Sequence, residues 1–176
     1  DWDAAAEIWD DRPALPAQPI YEHQPPHASL SRQDKLAQVR EAMSRHGATH
    51  HFISTVDDIA WLTNLRGSDV TYNPVFLAHL LMDAQGATLY VGAGKVDSAL
   101  RERLRGDGIQ VVDYTHAGAA LGALGPHDVL LIDPKRVTWG LRERVAASVR
   151  VIEAINPSTL LKSRKSDADA AHIREA

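Results

Sequence analysis

The densest run of side chains able to do chemistry lies between Trp61 and Pro74, W-L-T-N-L-R-G-S-D-V-T-Y-N-P. Asn64, Arg66, Ser68, Asp69 and Asn73 crowd there into a connection between a helix and an apolar run that reads as a buried strand. A guanidinium in such a loop can fork onto a carboxylate or take a partner's backbone carbonyl, so the segment can line a pocket or hold a neighbour. A plainly structural account competes with it. Gly67 and Asn73-Pro74 are turn formers, Ser68 and Asp69 can bond to nearby backbone, and Arg66 can pair with Asp69. Residue types alone leave both accounts open.

Other chemistries find less support. Nine histidines suggest a metal, yet His50 and His51 are adjacent and point to opposite faces of a strand, so they cannot share one ion. No H-E-x-x-H spacing occurs. His79 sits inside an apolar strand, where a hydrogen-bonded core or interface histidine is the simpler role, and His23, His27, His116, His127 and His172 fall in linkers, turns or the terminal helix. The chain has no G-x-S-x-G elbow and no phosphate-binding G-x-x-x-x-G-K-[ST], and Gly92-Ala-Gly94 is too short a piece of a dinucleotide fingerprint to count. Asp133 ends a strand, a place where wound sheets put functional groups, but Pro134 after it favours a turn-forming aspartate. No catalytic residue and no metal ligand is assigned.

The elements that must position the loop follow from periodicity. Ser31 with Asp34 forms a capping pattern, and Leu36, Val39 and Met43 recur on one face until Gly47, which predicts a helix over 31–46. Thr49–Ser54 reads as a strand, and Thr55 can cap a helix whose first turn holds Asp57 and Asp58, favourable against the helix dipole. Val75–Met82 is nearly continuous apolar sequence; with the turn Asp83–Gly86 and the run Ala87–Val91 it predicts an antiparallel hairpin. Helices over 96–105, 117–124 and 138–148 then alternate with strands over 109–113, 129–133 and 150–154. The expected fold is α/β, a mixed, mostly parallel sheet of five or six strands with helices on both faces.

Five of the nine prolines fall between Pro13 and Pro26, an extended linker. An apolar-dotted helical stretch (Ala4, Ala5, Ile8, Trp9) precedes it, and Ser166 with Asp169 opens a further capped helix after a polar, basic connection. Three parts are expected: a helix end and linker over 1–28, the α/β domain over 29–156, and a connection over 157–176 that leads into another domain. Both chain ends read as cuts in a longer polypeptide.

Composition narrows the function. Apolar residues at 44% and charged residues at 24% are those of a globular domain. A net charge of −4 with interspersed signs offers no basic stripe for nucleic acid, and no run reaches the length of a membrane span. With no cysteine, disulfides and thiolate sites are excluded. A cytoplasmic protein with a protein or peptide partner is expected.

The run Asp57-Asp-Ile-Ala-Trp-Leu-Thr-Asn-Leu-Arg-Gly-Ser-Asp69, continued by Asn73-Pro-Val-Phe76, resembles the hallmark of the second domain of three-domain Xaa-Pro aminopeptidases (aminopeptidase P). Ile8–Leu15 is similar to that family's entry into the domain. Ser158–Lys162 with Lys165 and Ile173-Arg174 is similar to its exit. The resemblance implies a creatinase/prolidase N-terminal-type fold. It also implies chemistry in a following domain, where two divalent metals, typically manganese, activate a hydroxide against the carbonyl before proline. No cofactor is then expected in this chain itself. Its partners would be the first and catalytic domains of its own polypeptide and a peptide with proline second, in a homodimeric parent. Asn64, Arg66, Ser68, Asp69, Tyr72 and Asn73 would shape access to the active site and make interdomain contacts, with Arg66 or Tyr72 nearest the substrate. Two alternatives stand beside it: a free-standing scaffold or interaction module derived from the same domain, and an autonomous hydrolase using Asp69 or Asp133 with a histidine.

Overall fold

A computed structural model describes residues 7–175. Eight strands are present: β1 (Tyr21–Glu22), β2 (His50–Ile53), β3 (Leu65–Arg66), β4 (Ala78–Met82), β5 (Ala87–Val91), β6 (Ile109–Asp113), β7 (Val129–Ile132) and β8 (Arg150–Glu153). The helices are α1 (Arg32–Arg45), α2 (Val56–Thr63), α3 (Ser98–Gly106), α4 (Ala117–Gly122), α5 (Trp139–Arg142), α6 (Pro157–Ser163) and α7 (Asp167–Glu175). Six strands form one sheet in the order β6-β5-β4-β2-β7-β8, while β1 and β3 pair as a separate ribbon. Within the large sheet only the pairs made by β4 are antiparallel, so β4 alone runs against its neighbours.

The period-two alternation of strand side chains divides the interior in two. Ala78, Leu80 and Met82 of β4, Leu89 and Val91 of β5 and Leu131 of β7 face a core closed by Leu36, Val39 and Met43 of α1, Ile59 and Leu62 of α2, and Leu100 and Leu104 of α3. Phe52, Tyr90, Leu130 and Ile132 face the other way, against Ala117 and Leu121 of α4 with Val145 and Val149. Each fully buried leucine contributes about 2 kcal/mol of transfer free energy, enough for either helical layer to hold its face of the sheet. The expected mixed, mostly parallel sheet with helices on both faces is the fold observed.

Local signals explain the element ends. Ser31 Oγ accepts the Asp34 N–H at 3.0 Å and donates to the Asp34 carboxylate at 2.6 Å. Ser166 and Asp169 cap α7 reciprocally, Ser166 Oγ taking the Asp169 N–H at 3.1 Å and Asp169 Oδ2 the Ser166 N–H at 3.0 Å. Gly47 follows α1 at φ 68, a conformation that glycine adopts without a Cβ clash.

Several expectations are corrected. The strand predicted from Val75 begins only at Ala78, because the Leu77 N–H is taken by the Asp69 carboxylate at 2.7 Å rather than by a neighbouring strand. The helix predicted over 138–148 stops at Arg142, where i→i+3 bonds such as Val145 N to Arg142 O tighten the chain and turn Val145 into the core. The stretch after Asn156, expected as a connection, forms α6 with Pro157 in its first turn. The Thr55 side chain does not cap α2; its hydroxyl instead accepts from Asn156 Nδ2 at 3.0 Å. Of the helical stretch expected near the start, Ala4 and Ala5 lie outside the described residues, and Glu7 and Ile8 are helical.

Candidate functional site

The loop between α2 and β4 begins with Asn64 in the left-handed region at φ 52, which asparagine tolerates better than most residues and which ends the helix. Its side chain is buried and used twice: Oδ1 accepts from Lys35 Nζ at 2.5 Å and Nδ2 donates to the Leu30 carbonyl at 2.8 Å. Its own carbonyl accepts the His23 N–H at 2.8 Å. Arg66, in β3 opposite Tyr21, donates from Nη1 to the carbonyls of Ala60 and Leu65, both at 2.9 Å. At Gly67 a Cβ would stand 2.8 Å from Phe76 Cβ, so only glycine lets the chain pass that close to the core.

Asp69 is not Arg66's partner. Its carboxylate, fully buried, pairs with Lys95 and accepts the Leu77 N–H. Lys95 is itself only 1% exposed and donates also to the Pro16 carbonyl at 3.3 Å. One buried ion pair thereby ties the loop, the start of β4 and the proline-rich segment together. Sequence reasoning missed Lys95, since a lysine after Gly92-Ala-Gly94 has the look of a surface residue. The apolar flanks Val91 and Val96, both buried, were the available signal.

Beyond Asp69 the chain turns outward. Val70 and Asn73 form an isolated antiparallel bridge, with Asn73 N donating to Val70 O at 3.1 Å. Ser68, Tyr72 and Asn73 are exposed, and Tyr72 stands entirely free of the surface at φ 62. The six predicted site residues are thus divided. Asn64 and Arg66 are drawn inward beside Lys35, Asp69 is sunk beneath the loop with Lys95, and Ser68, Tyr72 and Asn73 form a protruding tip.

Asn64 and Arg66 line a cavity of about 250 Å³ together with Lys35, Trp61, His23 and His27. Lys35 Nζ donates to the Trp61 carbonyl at 2.8 Å and lies 4.5 Å from the centre of the Trp61 ring. Burial, with the Arg66 charge adding to it, pushes the Lys35 pKa down to about 8. His23 is lowered too, first by burial and then by Arg66. The rings of His23, His27 and His172 lie in series, with centroids 5.6 and 5.4 Å apart.

The two acidic residues at the start of α2 serve a second connection. Asp58 is completely buried; its Oδ2 accepts from the hydroxyls of Ser158 at 3.1 Å and Thr159 at 2.5 Å, and Lys162 lies 2.9 Å from Oδ1. Asp57 pairs with the same lysine. The hallmark segment and α6 are therefore joined side chain to side chain.

The remaining candidates take structural places. His51 is fully buried, donates from Nδ1 to the Leu131 carbonyl at 2.9 Å, and is held by burial at a pKa of about 4. His79 shares a 2.9 Å hydrogen bond with Ser54 and stacks between Phe52 and Tyr114. Asp133 accepts the N–H of Lys135 at 3.1 Å and that of Asn156 at 3.4 Å, the turn-forming role expected of it. Among the described residues no three His, Asp or Glu side chains are grouped to hold a metal ion.

Comparison with known proteins gives this geometry its context. The Creatinase/Prolidase N-terminal domain profile matches residues 11–169. A probable Xaa-Pro aminopeptidase P from Paracoccidioides lutzii is 30% identical over 96% of this chain, and one from Botryotinia fuckeliana is 29% identical over the same share. This chain spans only 30% and 28% of the length of those two proteins. Among solved structures, the X-prolyl aminopeptidase of Caenorhabditis elegans, a cytosolic enzyme with a di-nuclear active site, superposes with a TM-score of 0.87 at 20% identity, over 99% of this chain and 29% of that one. An Xaa-Pro dipeptidase from Bacillus anthracis matches more loosely, with a TM-score of 0.57 at 13% identity over 83% of this chain and 40% of that one.

Proposed function

The chain belongs to the creatinase/prolidase N-terminal domain family, and from that premise we propose that it is the accessory, non-catalytic domain of a cytoplasmic Xaa-Pro aminopeptidase. In this role it limits access to an active site carried elsewhere on the polypeptide and makes contacts with the neighbouring domains. The observation that carries the proposal is the division of the 64–74 loop, an anchored base beneath a protruding tip. A buried ion pair fixes the base, and Tyr72 at the tip is fully exposed. Such a tip is suited to meet a surface outside this domain.

The metal pair that the family uses does not fit the residues present. Asp58 is taken by Ser158, Thr159 and Lys162, Asp69 by Lys95, and Glu22 by Arg32 and Arg103, while Asp133 accepts the backbone N–H groups of Lys135 and Asn156, so these carboxylates are already committed. No step of hydrolysis is assigned to this chain. The metals, manganese by family likeness, and the cleavage of a residue preceding proline belong to a following domain, in a parent that forms homodimers. Arg66 contributes through the base of the loop and Tyr72 through its tip, with Ser68 and Asn73 beside it.

A direct test separates this role from an autonomous hydrolase. The purified chain, given manganese and a short Xaa-Pro peptide, is expected to release no N-terminal residue above background, whereas the longer polypeptide turns the peptide over. Metal-dependent turnover by the chain alone would remove the proposal.

A further inference from the structure

The described residues include three cationic side chains buried to 9% exposure or less, and their neutralisation is unequal. Arg32 is paired with Glu22 and with Asp107, and Lys95 is paired with Asp69. Lys35, 5% exposed, has neutral acceptors only: the Trp61 carbonyl, Asn64 Oδ1 and the Trp61 ring. A desolvated ammonium with no carboxylate in ion-pair contact is costly; Asp169 attracts it only from a distance, and the Arg66 guanidinium on the same cavity wall adds like charge to it.

Arg66 is half-committed. Both of its bonds, to the Ala60 and Leu65 carbonyls, leave from Nη1, and no described residue takes a hydrogen bond from Nε or Nη2. Those two nitrogens form the edge on which a guanidinium receives a carboxylate through two parallel bonds. The one carboxylate on the cavity lining, Asp169, forms no ion pair with either cation and is occupied in capping α7, accepting from Ser166 N at 3.0 Å. The space of about 250 Å³ admits the end of an acidic side chain or a small carboxylic acid and is too small for a nucleotide.

We propose that the cavity between α1, the end of α2 and the 23–30 segment is a carboxylate-binding site, with Arg66 supplying the fork and Lys35 the second positive charge. The carboxylate comes either from a free small acid or from an acidic side chain of another segment of polypeptide. The chemistry is the same for both sources, and the site does not depend on the accessory role proposed above.

The test is a titration of the isotopically labelled protein with sodium acetate at neutral pH, against sodium chloride at matched ionic strength. The resonances followed are Arg66 Nε–H and the Trp61 indole N–H. Saturable shifts at both, with a rise in the Lys35 titration midpoint as the anion binds, are expected with acetate and not with chloride. Arg66→Lys keeps the charge and loses the fork, and should weaken acetate binding by about tenfold. Equal responses to both salts, shifts that never saturate, or unchanged affinity in Arg66→Lys would overturn the site. If Arg66→Lys does not fold, the comparison of the two salts on the unaltered protein still decides. Repeating the titration on a longer polypeptide separates the sources: an unchanged acetate response means a free acid is the ligand, and resonances already shifted and insensitive to acetate mean an acidic side chain fills the cavity.

Discussion

The base and the tip of the loop between α2 and β4 are adjacent in sequence and opposite in physical character. From Asn64 to Asp69 each polar side chain except that of Ser68 is bonded to another part of the fold: Lys35 and Leu30 for Asn64, backbone carbonyls for Arg66, Lys95 and Leu77 for Asp69. From Val70 to Pro74 the side chains are exposed, and the backbone is held by the Val70–Asn73 bridge and by bonds to the adjoining Gly67 and Val75. Polar residues clustered in a loop therefore do not form one functional unit. Those that meet buried partners hold the loop's shape, and those that meet nothing remain available to a neighbour.

The largest effect should come from breaking the base. Lys95→Met leaves the Asp69 carboxylate buried without its cation, a loss of about 3–5 kcal/mol in urea unfolding. Combining it with Asp69→Leu should recover a substantial part, since removing both charges spares their desolvation. A single substitution as mild as one on the tip would mean that the base is not anchored as described.

Acid separates the regions in a second way. The folded state holds His51 at a pKa of about 4, mainly by burial, while the Leu131 carbonyl opposes that shift. The unfolded chain takes up the proton near the usual value of about 6.5. The contribution is thus fully present above about pH 6.5 and is lost as pH falls towards 4, up to about 3 kcal/mol. Stability measured across this range should decline, and His51→Gln should flatten the slope. The exposed tip has no share in it.

A smaller effect tests whether the base extends into α6. Asp58→Ala removes the acceptor for the Ser158 and Thr159 hydroxyls and the partner of Lys162, and should cost about 2 kcal/mol. Faster amide exchange in α6 than in α1 would locate the loss at this junction. Uniform exchange across both helices would contradict the junction as a separate anchor.

What could be read in advance was what local chemistry dictates. The β4–β5 hairpin, the capped starts of α1 and α7 and the alternation of strands and helices all follow from period and from turn residues, and the structure has them. Five of the loop's six candidates stood out by their density, and Tyr72 only through the family resemblance. Their division was not legible, because it depends on partners far along the chain: Lys95 lies 26 residues from Asp69, and Ser158 lies 100 from Asp58. The β1–β3 ribbon escaped for the same reason. Two residues in a proline-rich stretch show no period, and their pairing is visible only once Asn64 O and His23 N have met.

The smallest effect on the fold belongs to the tip, and it should be the one with a functional sign. Tyr72 makes no hydrogen bond to a described residue and loses no exposure on folding, so Tyr72→Ala should shift stability by no more than about 0.5 kcal/mol. Its positive φ suits alanine little better than tyrosine, and Tyr72→Gly should be neutral to slightly stabilising. In an aminopeptidase carrying this domain, the same Tyr72→Ala should raise KM for an Xaa-Pro peptide by about three- to tenfold while kcat stays within about twofold, because the lost contact would bind ground and transition states alike. A fall in kcat with KM unchanged would place Tyr72 among groups that act on the reacting bond. No kinetic change at all, in a protein of unchanged stability, would leave the tip without the role proposed for it.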